Sequence, residues 1–324
     1  MIVVTGGAGF IGSALVWKLN RIGRNDIIIV DHLGTAEKWK NLVGLDYHDF
    51  YHKDDFIKWI YTDEFEYDID VIFHLGACSS TTEKDADYLM ENNFAYTQVL
   101  ADYCVEKNIR FIYASSAATY GDGSQGYKDD EESLEKLRPL NMYGYSKHLF
   151  DLYAKKNNYF DKIVGLKYFN VYGPNEYHKG DMRSVVHKAF YQIKESGKVR
   201  LFKSYKKDYK DGEQLRDFIY VKDAVDITLF FMRNKNVNGL FNVGTGNART
   251  WNDLVTAIFN AMDKPVNIEY IEMPENLREK YQYFTQADLT KLREAGYENE
   301  ITPLEKGVED YVKNYLLKDK TLAW

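Results

Sequence analysis

The sequence predicts an α/β protein built on a doubly wound parallel sheet, and three observations carry that prediction. A β-branched run, Ile2-Val3-Val4, leads directly into the glycine turn Gly6-Gly7-Ala8-Gly9-Phe10-Ile11-Gly12. Leu15, Val16 and Leu19 then recur at helical spacing, and residues 27–30 make a second apolar strand. Strand, turn, helix and strand thus fall within about 30 residues, as a βαβ nucleotide-binding unit requires. Finally, apolar runs at 71–75, 111–113 and 163–166 each end in small or polar residues, as strand tips facing a ligand do. The class is Rossmann-type, with a smaller, partly interleaved α/β substrate lobe.

The glycine turn comes first. Gly6 allows the tight turn, Gly9 lets the backbone approach a pyrophosphate, and Gly12 allows close helix–strand packing. The helix that follows points its free N–H groups at the phosphates. Asp31, 19 residues after Gly12, stands where an acid accepts the adenosine ribose hydroxyls, which argues for NAD. Lys38 and Lys53 could instead neutralise a 2′-phosphate and argue for NADP, or could be solvated helix surface; the residues leave both open. Val71-Ile72-Phe73-His74-Leu75 ends in Gly76-Ala77-Cys78-Ser79, small enough for a cofactor to lie against the backbone. A long helix from about 85 to 107 follows and carries Asn92 and Asn93.

The next tip, after Phe111-Ile112-Tyr113, holds Ser116. A polar, acidic loop precedes Asn141-Met142-Tyr143-Gly144-Tyr145-Ser146-Lys147, and Leu149, Leu152 and Tyr153 continue at helical spacing. Tyr143 and Lys147 therefore share one helix face, where an ammonium favours phenolate and lowers the phenol towards neutrality. Such a phenol can take a proton from a sugar hydroxyl. Tyr103 and Lys107 repeat the spacing, but at the far end of a helix, and read as surface. Residues 163–166 lead into Asn170 and Val171, and Leu240-Phe241-Asn242-Val243-Gly244 returns to the sheet. Beyond Pro174 the alternation loosens, with helical stretches near 181–196 and 250–263. The expected division is residues 1–170 with about 216–246 as the dinucleotide-binding domain, and 171–215 with about 247–324 as the substrate lobe.

Composition bounds the rest. Net charge is −7 over 324 residues, which points to no nucleic-acid partner and no anionic membrane. Two cysteines, Cys78 and Cys104, provide neither a disulfide framework nor a metal cluster, so no metal is expected. No apolar run approaches the ~20 residues of a membrane span, and a cytoplasmic protein is expected.

Jointly, Gly6/Gly9/Gly12, Ser116, Tyr143-x-x-x-Lys147 and Arg216-Asp217-Phe218-Ile219-Tyr220-Val221-x-Asp223 resemble the extended short-chain dehydrogenase/reductase family over nearly the whole chain. The resemblance implies Tyr143 as acid/base, Lys147 as the cation beside it that also holds the nicotinamide ribose, and Ser116 as the donor to the reacting oxygen. His74-x-Gly76, Tyr113 to Gly121, Tyr168 to Pro174, His178-Lys179-Gly180 and Tyr281-x-x-Phe284 look more narrowly like the ADP-heptose 6-epimerases. That likeness implies an ADP-heptose substrate, oxidation at C6 and hydride return to the other face. It implies NADP (NAD being possible), one per subunit and retained through turnover, and a homo-oligomer, by family a pentamer. It makes Lys179 a second acid/base; from the residues alone Lys179 is a partner for phosphate or solvent. It adds Phe10, Ile11, His32, Leu75, Asn92, Val171 and Lys179 to the cofactor contacts. To substrate it assigns Asn170, Asp181, Lys188, Phe202, Lys203, Ser204, Tyr205, Arg216 and Tyr281. His32 and Leu75 stand where the family has Asn and Glu, and the stretch 204–215 is longer than its loop. Three rival activities share the scaffold. A sugar-nucleotide 4,6-dehydratase needs proton-transferring groups where Ala117 and Ala118 stand; a UDP-hexose 4-epimerase needs only Ser116, Tyr143 and Lys147; a non-catalytic nucleotide sensor needs none of them.

Overall fold

The computed structural model describes residues 1–278 and 281–324. Its strands, in chain order, are β1 (Ile2–Thr5), β2 (Ile27–Asp31), β3 (Asp49–His52), β4 (Val71–His74), β5 (Arg110–Ser116) and β6 (Val164–Tyr168). They continue as β7 (Asn170–Tyr172), β8 (Val199–Phe202), β9 (Leu215–Tyr220), β10 (Gly239–Val243), β11 (Ala248–Thr250) and β12 (Ile268–Ile271). Seven strands form one parallel sheet in the order β10-β6-β5-β4-β1-β2-β3. The order reverses at β1, which pairs with β2 on one side and β4 on the other. A crevice opens at such a switch point, outside the carboxyl ends of the strands.

Alternation along β1 sends Ile2 and Val4 to one face and Val3 to the other. The first face packs against α1 (Phe10–Arg21), which the turn launches, and against the later helix Val221–Arg233. The second packs against α2 (Lys53–Thr62) and α4 (Tyr96–Lys107), and against Phe150 and Ala154 of α5 (Met142–Lys156). Both faces are covered, so β1, β2 and β4 are buried throughout and read as continuous apolar runs. The long helix expected from about 85 to 107 forms in three parts: α3 (Ala86–Leu89), a wide π turn (Met90–Ala95) and α4.

Outside the large sheet lie α6 (Val185–Ser196), α8 (Trp251–Ala261), the helix Leu304–Asn314 and two short sheets. One sheet is β11-β9-β7 and the other is β12-β8. Between these segments α7 (Val221–Arg233) and β10 return to the large sheet, so the two parts interleave along the chain.

Candidate active site

The switch-point crevice is a cleft of about 800 Å³ reaching from the glycine turn to the tips of β5 and β6. Gly12 is there because a Cβ at that position would lie 2.1 Å from the Gly6 carbonyl oxygen. Gly9 caps α1 without a side-chain hydrogen bond, which leaves first-turn N–H groups to face the cleft. Gly6, Phe10, Ile11, His32, Leu75, Gly76, Ala77, Cys78, Ser79 and Val171 all line it.

Asp31 is more committed than its sequence position suggests. One carboxylate oxygen accepts the Ala8 N–H at 2.8 Å, and the other accepts the His32 N–H and the Lys38 ammonium, both at 2.6 Å. The acid thus anchors the glycine turn, and Lys38 lies on that acid rather than standing free. Lys53 donates to Asn92 Oδ1 at 3.2 Å, and the two line a smaller hollow of about 110 Å³ beside Asp31, His32 and Lys38.

Catalytic candidates meet at the β5 tip. Asn141 caps α5 by accepting the Gly144 N–H at 2.8 Å, which puts Tyr143 in the first helical turn and Lys147 in the second. A Cβ on Gly144 would lie 2.8 Å from the Ala118 carbonyl oxygen, so glycine lets α5 close onto the turn that Ser116 starts. Ser116, Tyr143 and Lys147 all line the cleft. The expected lowering of the Tyr143 phenol does not occur. Burial pushes it up, and the hydrogen bond from Ser116 opposes this only in part. The phenol is desolvated by the same packing that aligns it. Burial also brings the Lys147 ammonium down to about 8, with Asp151 opposing. The twin pair is elsewhere: Lys107 is tied to Asp63 at 2.6 Å on the surface.

Lys179 lines the cleft too, its ammonium 5.6 Å from the centre of the Phe10 ring. Burial lowers its pKa, and the buried Glu176 carboxylate opposes. The Arg216 guanidinium is buried, donates to the carbonyls of Leu215 and Gln282, and lies over the rings of Trp251 and Tyr281. Trp251 donates to the Tyr281 hydroxyl at 2.9 Å and itself lines the cleft. Arg216 makes no ion pair with a carboxylate among the described residues. Asn170 is at the cleft wall. Asp181, Lys188, Phe202, Lys203, Ser204, Tyr205, Arg216 and Tyr281 do not line it; Trp251 is the cleft-lining residue that touches both Arg216 and Tyr281. Lys188 donates to the Asp181 carbonyl at 2.5 Å, and Lys203 and Tyr205 both engage Glu272.

Residues 2–244 match the NAD dependent epimerase/dehydratase family. The chain belongs to that family. An ADP-L-glycero-D-manno-heptose-6-epimerase of Nitratidesulfovibrio vulgaris is 59% identical over 316 residues, covering 98% of each chain. A solved structure of the Helicobacter pylori ADP-L-glycero-D-manno-heptose-6-epimerase superposes with a TM-score of 0.81 at 27% identity, over 97% of this chain and 95% of that one. A UDP-glucose 4-epimerase from Thermotoga maritima gives 0.79 at 27% identity, over 98% and 99%.

Within this epimerase/dehydratase scaffold, Ala117 and Ala118 occupy the turn after Ser116 and bring no group able to move a proton. Sequence reasoning named Asn93 only as a helix residue. It is fully buried on the π turn, accepts the Cys78 N–H at 2.8 Å, and donates to the Cys78 carbonyl and to Ser146 Oγ. One amide thus ties the β4 loop to α5. Trp251, Asp151 and Lys167 were also missed; no local pattern marks them, because their partners lie far away in the chain.

Proposed function

We propose that the chain epimerises C6 of ADP-D-glycero-β-D-manno-heptose to the ADP-L-glycero-β-D-manno-heptose, a precursor of lipopolysaccharide core. It is an isomerase of carbohydrates in this reading. The observation that carries it is a cleft holding Ser116, Tyr143 and Lys147 together with a second half-buried base, Lys179. Identity with the N. vulgaris epimerase supports the same substrate.

When bound, the nicotinamide supplies the hydride acceptor and donor and, oxidised, a positive charge that favours phenolate. Tyr143 takes the proton from the C6 hydroxyl as the hydride leaves that carbon, and Ser116 donates to the same oxygen. A ketone that turns its other face has moved its oxygen as well, so a base at Tyr143 no longer reaches it. Lys179, kept from full basicity by burial, gives the proton there. Each residue serves the same epimer in both directions, and the direction of turnover sets only which of the two acts as base and which as acid. Arg216, buried without a carboxylate partner among the described residues, takes the diphosphate of the substrate in a bidentate grip. Tyr281 and Trp251 hold the guanidinium from its flanks.

The dinucleotide is NADP in this proposal, with NAD as the weaker ligand, one per subunit and retained because no net redox occurs. Lys53 and Lys38 bring ammonium groups to the smaller hollow, where a 2′-phosphate would sit beside the His32 ring, although Lys38 also lies on Asp31. The dinucleotide domain is residues 1–170 with about 216–246 and the substrate lobe 171–215 with about 247–324. A cytoplasmic homo-oligomer, a pentamer, completes the reading. No helix among the described residues is long and apolar enough to cross a membrane.

The direct test is incubation with ADP-D-glycero-β-D-manno-heptose and observation of the C6 epimer by NMR. Appearance of the L-glycero signal is expected. Conversion of UDP-glucose in its place would favour a 4-epimerase and overturn the substrate assignment.

A further inference from the structure

Behind the reacting groups lies a second ionic layer that the mechanism above does not use. Asp151 stands one helical turn after Lys147 on α5 and is fully buried. Its carboxylate accepts from the Tyr113 hydroxyl and from Ser115 Oγ, each at 2.8 Å, and pairs with the Lys167 ammonium of β6 at 3.2 Å. Lys167 is equally buried. It donates to Thr119 Oγ1 at 2.6 Å and sits 4.5 Å from the centre of the Tyr120 ring. Thr119 in turn donates to the Ser116 carbonyl at 2.8 Å. Burying a lysine inside a parallel sheet carries a desolvation cost that a hydrophobic residue there would avoid. Asp151 thus pairs directly with one buried cation, Lys167, and stands one helical turn from a second, Lys147.

We propose that Asp151 and Lys167 are positioning residues for the reaction: the Asp151 carboxylate holds Lys147 as an ammonium facing the cleft, and Lys167 limits that hold by sharing the same carboxylate. The assignment rests on the reading of Lys147 as the cation beside the reacting centre. Lys147 feels Asp151 from its own helix and Cys78 from the loop after β4, and itself acts on His74 of β4; Lys167 of β6 and His148 of α5 both interact with Asp151. Asp129 and Glu131 act on Lys167 from the acidic loop. Among these, Asp151 is the carboxylate that opposes the burial of Lys147, with Lys167 as its direct competitor. Through Tyr113, Ser115 and Thr119 the same pair pins the end of β5, on which Ser116 sits.

The two partners then act on Lys147 with opposite sign, which a purely structural ion pair would not do. The full-length protein is labelled with 13Cε-lysine and the Lys147 resonance, identified by its loss in Lys147→Met, is titrated. Asp151→Asn should move its midpoint down by about one pH unit or more, and Lys167→Met should move it up. The alkaline limb of the epimerisation profile should follow in the same directions. If neither variant moves the Lys147 titration, or both move it the same way, the proposal is overturned. Lys167→Met leaves Asp151 its Tyr113 and Ser115 donors, so it carries the test alone should Asp151→Asn fail to fold. Unchanged turnover in Lys147→Met would instead overturn the reading of Lys147, while opposite shifts in the two variants would still uphold the sharing.

Discussion

In the proposed reaction, Tyr143 and Lys179 have comparable burdens at the scale of single residues, since each would hold or release one proton at one oxygen. Tyr143→Phe removes the group at the β5 tip without altering packing, and turnover should fall by about 10²- to 10⁴-fold, as loss of a positioned acid/base does. Lys179→Met should abolish appearance of the L-glycero epimer by NMR while the dinucleotide absorbance of the purified protein persists. A variant that still converted substrate would remove Lys179 from the chemistry. Arg216 is a different kind of residue, a buried charge resting on carbonyls and rings. Arg216→Lys replaces a planar fork by a point charge. Its KM should rise about tenfold or more, corresponding to roughly 1.5–3 kcal/mol for a charged hydrogen bond, with a much smaller change in kcat.

Single elements decide whether those residues meet. Helix α5 approaches the Ser116 turn so closely that Gly144 has no room for a Cβ beside Ala118. Gly144→Ala would raise helix propensity by about 1 kcal/mol on an unconstrained helix. Here it should lower turnover, because the extra methyl moves Tyr143 away from Ser116; unchanged kcat with higher thermal stability would contradict that contact. The π turn is the second device, because its wide geometry presents Asn93 to Cys78 and Ser146 together. Asn93→Ala leaves the Cys78 backbone groups unpaired in a half-buried loop. A loss of about 1–3 kcal/mol in chemical denaturation is expected, with faster release of dinucleotide. The glycine turn, the strand tip that carries Ser116 and the Tyr143/Lys147 spacing are legible in the sequence, because each is a pattern of near neighbours. Asn93 is not, because its partners are about 15 and 53 residues away in sequence and no spacing rule connects them.

Across the whole molecule, burial of titratable groups sets the response to pH. His187, on α6, packs at a tilt against the rings of Tyr177 and Tyr191, and desolvation lowers its pKa to about 4. The folded value lies below the unfolded one, near 6.5, so stability is intact above pH 6.5 and is lost as pH falls towards 4. Asp129 has the opposite sign: burial raises it to about 6, so its contribution is full below its unfolded value and fades as pH rises through 6. Since both act across the same window, the wild-type curve alone cannot separate them. The difference between wild type and His187→Phe can: the variant should lose less thermal stability between pH 7 and pH 4.5. Parallel curves for the two proteins would show that His187 does not titrate in this way.

By itself the sequence determined the parallel sheet, the glycine turn, the strand tip that carries Ser116, the helix start that carries Tyr143 and Lys147, and the resemblance that pointed to Lys179. These are properties of periodicity, spacing and chain order, which are local or nearly so. Only the tertiary structure decided that Lys38 lies on Asp31, that Arg216 is gripped by Trp251 and Tyr281, and that residues 202–205 stand away from the cleft. It also reversed one expectation, since the Tyr143 phenol is raised rather than lowered. The reason is common to all of them. Desolvation and charge pairing depend on which distant segments close over a group, and spacing along the chain carries no measure of that.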